Sequence, residues 1–405
     1  MKSPQTDYSN RFLTVLSSIG HGANDMNFFV LPIILPLMLN QFDLRFTAAG
    51  GLLTAFLLIV ALCSIVIGKL SDRISPSLII GCGFLLASGS LLAAGIMPSI
   101  ALLLLFLLLS AVGVSTFHPA IYNLLNNTAG KKKGMVFGLF ELWGLTAILV
   151  LFLVAGYVMK NISWQIFLSI ASIPGFVLGA LFLLFRRKLR VTLRPVAEVE
   201  PPTKKTGAEL RLFVLVCISS MLVFMSLTVI MNLVPTYLVH GFGMSASRAS
   251  YATAFLFMGG MVGAPLAGFR LDRGDPLRIY LVPSVAIIPL ILLLSARLPG
   301  WAYPLLLILI GACSGVFMPS RNMVFAEFGR RMGSGQIFGI VMGVGTATHS
   351  LTPLLFGFIA DRSNLFLAMR LSALPAVFGT AAGVVLLFYS RIRLGRVQKE
   401  PSGAG

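Results

Sequence analysis

Long apolar stretches alternate with short polar connections along the whole chain. Many of these stretches exceed the length of about 20 residues that a helix needs to cross the apolar core of a bilayer. Their apolarity is continuous rather than alternating, which predicts helices and not strands. The pattern predicts an all-α integral membrane protein with twelve transmembrane helices, at about 12–39, 47–70, 77–97, 99–126, 134–159, 163–186, 210–239, 247–271, 277–296, 300–327, 334–360 and 365–390.

Polar landmarks between the apolar stretches repeat at about half the length of the chain. Gly68-Lys-Leu-Ser-Asp72-Arg73 returns as Gly268-Phe-Arg-Leu-Asp272-Arg273, 200 positions later in a chain of 405. Offsets of 199 to 201 also relate Pro36 to Pro235, Phe117-His118-Pro119 to Phe317-Met318-Pro319, Gly134–Gly138 to Gly335–Gly339 and Gly156-Tyr157 to Gly357-Phe358. This spacing predicts an internal duplication, with two pseudo-symmetric six-helix bundles at 1–186 and 210–405.

The distribution of Lys and Arg predicts how the chain is oriented. The connection 187–209 is rich in Pro and charge, as expected of a solvated linker. Most Lys and Arg residues lie on the face of the membrane that contains this linker, and such an excess marks cytoplasmic loops. We therefore expect a multi-pass protein of the plasma (bacterial inner) membrane with both termini, a short C-terminal tail and the linker in the cytoplasm. The first ten residues show no cleavable signal pattern, so we expect the first span itself to direct the chain to the membrane.

Composition and motifs exclude several classes of function. Hydrophobic residues make up 57% of the chain and charged residues 11%, far from the balance of a soluble domain. The net charge of +18 comes from cations that flank the spans, so we expect no nucleic-acid partner. No phosphate-binding G-x-x-x-x-G-K-[ST] motif, catalytic triad or metal-ligand spacing is present, and the four Cys residues are scattered. We expect no enzyme, no cofactor and no metal, and energy must come from an ion or solute gradient.

Ionisable residues inside the first span are candidates for ion binding. Asp25 lies near the middle of the span, where a charge costs about 2.5–3.5 kcal/mol on insertion scales. His21 is one helical turn earlier on the same face, and Asn24 flanks the carboxylate. A desolvated carboxylate beside an imidazole can bind and release a proton. The alternative is a structural clamp between helices.

Two further groups in the first half are proton-coupling candidates. His118 precedes Pro119, whose missing amide frees a carbonyl and creates a polar niche. Glu141 lies about two turns into the fifth span beside Trp143, where it either lines a cavity or pairs with another span. Both residues also have a purely structural interpretation.

The second half contains different chemistry. Arg321 is its clearly internal cation, and Asn232 in the seventh span and His349 in the eleventh complete the polar inventory. Together with Asn24 and Trp143 of the first half, these residues are candidates for a substrate cavity. An ion pair that breaks when substrate binds is one interpretation of Arg321, and a permanent gating contact is the other.

The two Gly-x-x-x-Asp-Arg stretches resemble the loop signature of the major facilitator superfamily, between its spans 2 and 3 and again between spans 8 and 9. Within that family, Ser18–Asp25 with Leu35-Pro36-Leu37, Gly113–Pro119 and Gly357–Arg362 resemble the fosmidomycin-resistance type of efflux protein. The resemblance implies a central cavity lined by spans 1, 4, 7 and 10. It also implies a cytoplasmic latch formed by Gly68, Asp72, Arg73, Gly268, Asp272 and Arg273.

These observations favour a monomeric secondary transporter for a small organic solute. Proton-coupled efflux is the leading hypothesis, with the solute, protons and the lipid bilayer as partners. The main alternative is a proton-coupled uptake symporter for an anionic metabolite that binds at Arg321. The absence of Pro between Pro119 and Pro174 weakens the efflux hypothesis, because many drug–proton antiporters have Gly-Pro in the fifth span. A membrane scaffold or membrane enzyme is a third alternative.

Overall fold

The computed structural model describes residues 4–71, 73–121, 133–187, 189, 207–271, 273–332 and 347–397, and these form helices joined by short turns. The helices are α1 (Pro4–Phe42), α2 (Phe46–Ser71), α3 (Pro76–Ile96), α4 (Ile100–Val114), α5 (Lys133–Asn161), α6 (Trp164–Leu184), α7 (Gly207–Phe242), α8 (Ala246–Leu271), α9 (Pro276–Leu294), α10 (Ala302–Met332), α11 (Thr352–Arg362), α12 (Leu365–Leu371) and α13 (Leu374–Val397).

The predicted membrane spans agree with these helices. In the described part of the chain, 11 segments are long and apolar enough to cross a membrane, and they correspond to α1–α10 and to α12 with α13. The predicted span at 334–360 lies largely outside the described residues, and α11 is its described end. The all-α membrane fold is therefore confirmed, while the linker 187–209 lies almost wholly outside the described residues and stays a prediction.

Local sequence explains where several helices begin. Pro76 and Pro276 occupy the first turns of α3 and α9, where a missing amide costs nothing and the fixed φ suits a helix. The Asp275 carboxylate accepts a hydrogen bond from the amide of Leu277 and caps α9. Asn364 caps α12 in the same way by accepting from the amide of Leu367. These starts follow from residues that were visible in the sequence.

Two predicted spans are interrupted in the structure. α4 ends at Val114, and a turn at Ser115 and Thr116 precedes a further helical segment at 117–121. The last span divides into α12 and α13 at residues 372–373. A proline follows each turn, Pro119 in one case and Pro375 in the other, and the missing amide of proline removes one bond of the helical ladder.

The ends of corresponding helices support the duplication. α2 and α8 begin at Phe46 and Ala246, and both run for 26 residues. The connections before them contain the left-handed residues Asp43 and Gly243, with φ of 49° and 65°. A residue in this conformation commonly ends a helix, and glycine adopts it without strain.

The two halves meet along two seams, which are pairs of helices that pack across the halves. The first seam joins α2 to α11, and the second joins α5 to α8. At the first seam, a Cβ on Gly50 would overlap the carbonyl oxygen of Pro353, and one on Gly357 would overlap that of Phe46. At the second, Gly156 packs on the ring of Tyr251. Each seam therefore depends on glycines that let helices approach closely.

The residues of the predicted cytoplasmic latch are only partly described. Asp72 and Asp272 lie outside the described residues. A Cβ on Gly68 would have its nearest neighbour at 4.0 Å, in Pro119 of the same half, and a Cβ on Gly268 would meet nothing within 4 Å. These two glycines thus lack the close helix contact that Gly50 and Gly357 make, and the latch stays a prediction.

Candidate functional site

Asp25 lies between two imidazoles in the first half of the protein. Its Oδ2 is 3.3 Å from Nε2 of His21, and its Oδ1 is 3.7 Å from Nε2 of His118. The side chains of His21 and Asp25 are 5% and 19% exposed, whereas that of His118 is 39% exposed. We call these three residues the His–Asp–His cluster. It brings together three of the four proton-coupling candidates, and it is open on the side of His118.

His21 is held in one orientation by Phe140 of α5. Its Nδ1 lies 2.7 Å from the carbonyl oxygen of Phe140, and its ring stacks on the Phe140 ring at 3.9 Å with an angle of 5° between the planes. A carbonyl oxygen accepts only, so Nδ1 donates its proton. Nε2 is therefore the atom turned to Asp25, and it is the ring atom that can bind a proton or another cation beside the carboxylate.

Two glycines allow α1 and α5 to come close enough to form the cluster. A Cβ on Gly144 would lie 2.7 Å from Cε1 of His21 and 2.8 Å from Oδ2 of Asp25. A Cβ on Gly22 would lie 2.7 Å from the Cβ of Ala147. Because any side chain at Gly144 would displace both groups, this glycine fixes the position of the cluster. Gly144 could not be recognised from the sequence, since it has no side chain to carry chemistry.

The turn before Pro119 positions His118. Proline at 119 cannot donate to the carbonyl of Ser115, and that carbonyl instead accepts a hydrogen bond of 3.2 Å from Ser64 of α2. The hydroxyls of Ser115 and Thr116 bond back to carbonyls of α4. The carbonyl freed by Pro119 is therefore satisfied by Ser64, and the imidazole of His118 lies 5.2 Å from the ring of His21.

The other candidates in the first half are not part of the cluster. Glu141 and Trp143 are exposed in this conformation, and the indole is 46% exposed. Asn24 is only 2% exposed and is packed inside the bundle. The roles predicted for these three residues in coupling or substrate binding stay predictions.

Arg321 forms the centre of a second group of side chains, in the other half. Its guanidinium carbon lies 4.9 Å from the centre of the Phe224 ring, and its Nη2 donates to the amide oxygen of Asn322 at 3.2 Å. His349 contacts the same Phe224 ring edge-on at 4.5 Å, and its Nδ1 lies 3.3 Å from the hydroxyl of Thr228. Phe224 thus joins Arg321 and His349 into one unit, which the sequence did not predict.

A small hollow lies next to this second group. Arg321 lines it together with the hydroxyl residues Ser219, Ser220 and Tyr280. Asn232 is farther along α7, 4% exposed, and donates to the carbonyl of Thr228 within its own helix. The structure therefore groups Arg321 with hydroxyl and aromatic residues, and the predicted convergence of Asn232 with Asp25 at one cavity stays a prediction.

Side chains that join the two halves form a third functional region. The carboxylate of Asp361, in the last turn of α11, accepts hydrogen bonds from the amides of Phe46 and Thr47 at the start of α2. The amide of Leu354 donates to the hydroxyl of Thr54 along the same seam at 3.2 Å. At the second seam, Ser247 of α8 donates to the carbonyl of Gly156 at 2.6 Å. These contacts hold the halves together at the ends predicted to be extracellular.

Comparison with protein families identifies the chain over nearly its whole length. The family model described as Major Facilitator Superfamily matches residues 17–334 and 216–404. An uncharacterized MFS-type transporter, YwoD of Bacillus subtilis (strain 168), is 27% identical over 132 residues. That match covers 33% of this chain and 29% of the relative's length. The fosmidomycin-resistance branch is not among these findings and stays a prediction.

Solved structures share the fold at low sequence identity. A bacterial homologue of the human lysosomal transporter Spinster, in an inward-facing and unoccupied conformation, has a TM-score of 0.73 at 16% identity and covers 95% of this chain and 98% of that one. The nucleoside transporter NupG has a TM-score of 0.69 at 16% identity, covering 93% of this chain and 99% of that one. At such identity the likeness concerns the fold alone.

Proposed function

Because the chain belongs to the major facilitator superfamily, we propose that it is a proton-coupled efflux carrier for a small organic solute. Transporters of this family work by alternating access, in which a central site opens to one side of the membrane and then to the other. The family identifies the class of protein. The direction of transport, the coupling ion and the type of solute are our proposal.

The His–Asp–His cluster is the observation that carries the proposal. Asp25 lies within a membrane-spanning helix, with an imidazole on each side at 3.3 and 3.7 Å. Alternating access changes how much water reaches a carboxylate, and water favours its charged form whereas removal of water favours the neutral form. A change of two pKa units corresponds to a hundredfold change in proton affinity, at about 1.4 kcal/mol per unit. Alternate exposure of the cluster can therefore bind a proton on one side and release it on the other.

The described contacts between the halves include Asp361 with Thr47 and Ser247 with Gly156, at helix ends that are predicted to be extracellular. Under the predicted orientation, these contacts close the end of the carrier that faces outwards.

Transport in proteoliposomes tests the coupling. With fosmidomycin as the first probe, followed by a panel of small organic anions, uptake is measured with and without an imposed pH gradient. Efflux by antiport predicts that solute moves against the inward flow of protons. We expect Asp25→Asn to abolish gradient-driven transport and to leave solute exchange measurable. Asp43→Asn is the matched control, because it makes the same change to a carboxylate of the first half that lies outside the cluster, in the turn between α1 and α2.

Two results would contradict this proposal. Gradient-driven transport at the wild-type level in Asp25→Asn would show that Asp25 is a structural clamp and would pass the coupling role to Glu141 or His118. Solute that moves in the same direction as the protons would reject efflux. It would favour the alternative of an uptake symporter.

The group around Arg321 favours that alternative. The guanidinium of Arg321 lines a small hollow and presents charged N–H donors of the kind that bind anions. We expect Arg321→Ala to weaken binding of anionic solutes far more than binding of neutral ones. Arg297→Ala is its control, since Arg297 also lies over an aromatic ring, Phe366, at 5.4 Å, outside this group. Equal loss for anionic and neutral solutes would show that Arg321 is structural.

A further inference from the structure

We propose that the His–Asp–His cluster is also a binding site for a divalent transition-metal ion of the zinc class. One donor atom from each of His21, Asp25 and His118 lies within 4.8 Å of the other two. Two imidazole nitrogens and a carboxylate oxygen are a ligand set that zinc and its neighbours use in proteins. The chain offers no such spacing in sequence, because the two histidines come from α1 and from the segment after α4.

The two histidine–aspartate distances in the cluster are close to those between ligands of one metal ion. Ligands about 2.0–2.1 Å from a tetrahedral zinc ion are separated from one another by about 3.3 Å. His21 Nε2 is 3.3 Å from Asp25 Oδ2, and His118 Nε2 is 3.7 Å from the other carboxylate oxygen, Oδ1. The His118 side chain, 39% exposed, has room for the small movement that would complete the set.

His21 has the support that metal-binding histidines usually have. Such a residue donates its second ring N–H to a carbonyl or carboxylate, which fixes the tautomer and directs the lone pair of the other nitrogen to the ion. The 2.7 Å contact of His21 Nδ1 with the carbonyl of Phe140 supplies that bond. The Phe140 ring, stacked at 3.9 Å, also fixes the plane of the imidazole. Nε2 thereby points to Asp25, where the ion would lie.

Three protein ligands leave a fourth position for water or a solute group. Sites of this kind exchange their ion more readily than structural sites, which have four protein ligands. Because the His118 side chain is 39% exposed, the cluster is accessible and the ion can enter and leave without unfolding of the protein. The inference uses the same residues as the proposed function, but it rests on their donor atoms and geometry and not on proton coupling.

Metal titration of the full-length protein in detergent tests the site. The protein is purified with a tag that contains no histidine, because the histidines of a polyhistidine tag would outnumber its own four. Cobalt, added as Co²⁺, is followed by its visible absorption, and Zn²⁺ binding is measured by calorimetry. We expect one ion per chain, the intense visible bands of tetrahedral Co²⁺, and no thiolate-to-metal charge-transfer band from the cysteines.

Matched variants localise the ion. His118→Ala should weaken binding of Co²⁺ and Zn²⁺ at least tenfold, as should His21→Ala and Asp25→Asn. His240→Ala and His349→Ala remove the other two histidines and should leave binding unchanged. Size-exclusion elution and thermal unfolding confirm the fold of each variant. His118 is the most exposed ligand, so His118→Ala and His118→Gln decide the test if a substitution at the buried His21 prevents folding.

Three outcomes would overturn the inference. They are the absence of binding of both ions to the wild-type protein, unchanged binding in His118→Ala and His118→Gln, and an equal loss of binding in His349→Ala. Transport is measured separately in metal-free buffer. If transport is coupled to protons but the protein binds neither ion, only the metal site is overturned. If the cluster binds Co²⁺ but transport is not coupled to protons, only the proposed function is overturned.

Discussion

The carboxylate of Asp361 accepts hydrogen bonds from both the backbone amide and the hydroxyl of Thr47, at 2.8 and 2.6 Å. The amide of Phe46 adds a third bond of 3.0 Å. A carboxylate in this position satisfies free N–H groups in the first turn of α2 and meets the positive end of the helix dipole. Since Asp361 belongs to one half of the protein and Thr47 to the other, these bonds must break whenever the halves separate at this end.

Removing the cap should open the seam between α2 and α11. Loss of an N-cap side chain costs typically about 1 kcal/mol, so Asp361→Ala should increase the ratio of separated to closed molecules about fivefold. Distances between spin labels at Ala48 and Leu367, in a background without the four native cysteines, measure this ratio. Ser363→Ala is the control, because the amide of Ser363 bonds back to Ile359 within the same half. An unchanged distance distribution in Asp361→Ala would show that the cap does not stabilise closure.

The same cap predicts a specific pH dependence of closure. Burial alone would raise the pKa of Asp361, but hydrogen bonds from Thr47 and Phe46 and the charge of Arg45 hold it below its usual value. A group whose pKa is lower in the closed state stabilises that state above its ordinary pKa of about 3.9, and the contribution is lost as the pH falls through the lowered value. Closure should therefore be constant near neutral pH and weaken below about pH 4. Asp361→Asn should abolish this acid-dependent step, and its persistence in that variant would assign it to another group.

Glycines at adjacent positions of α2 should respond differently to a methyl group. A Cβ at Gly50 would overlap the carbonyl of Pro353, whereas one at Gly51 would lie 3.8 Å from Leu354. Overpacking typically costs about 1–3 kcal/mol, so Gly50→Ala should separate α2 from α11. Gly51→Ala should leave the seam closed and slightly raise the thermal stability, because alanine favours helix. Label distances and thermal unfolding measure both effects, and equal behaviour of the two variants would contradict the close contact.

Gly144→Ala should impair coupling although it replaces no ionisable group. The new methyl would meet His21 and Asp25 at 2.7 and 2.8 Å and push them apart. We expect gradient-driven transport to fall at least tenfold while the protein remains folded. Gly89→Ala is the control, because a Cβ there meets nothing within 4 Å. Wild-type coupling in Gly144→Ala would show that the geometry of the cluster is not required.

The spans and their duplication could be predicted from sequence because both depend on local properties. Continuous apolarity indicates a membrane helix, and landmarks such as Gly68 and Gly268 repeat at a fixed offset. The pairing of His21 with Asp25 was also predictable, since residues four apart share one face of a helix. The turn at residues 115–116 could not be predicted. A proline shows that one backbone hydrogen bond of the helix is missing, but it does not show which conformation the chain adopts instead.

The rest of the site depends on how distant helices pack. His118 and Phe140 reach the cluster from other helices, and a single sequence contains no distance between them. The role of Gly144 could not be predicted, because glycine has no side chain whose chemistry would indicate a function. Asp361 was visible in the segment Gly357–Arg362, but its role required knowing that α11 ends beside the start of α2.

The ends of α2 and α11 share one residue spacing, with Gly68, Asp72 and Arg73 in the first and Gly357, Asp361 and Arg362 in the second. Each helix therefore ends in the same sequence pattern. In the described copy, the glycine brings α11 against α2, and the aspartate one turn later binds the first turn of that neighbour. The end of α2 has the same residue spacing, and by the same geometry Asp72 would cap a helix of the opposite half at the other end of the membrane. Only one of the two aspartates would then be hydrogen-bonded to the opposite half at any time. A carrier closed at both ends would therefore be a brief intermediate and not a resting state.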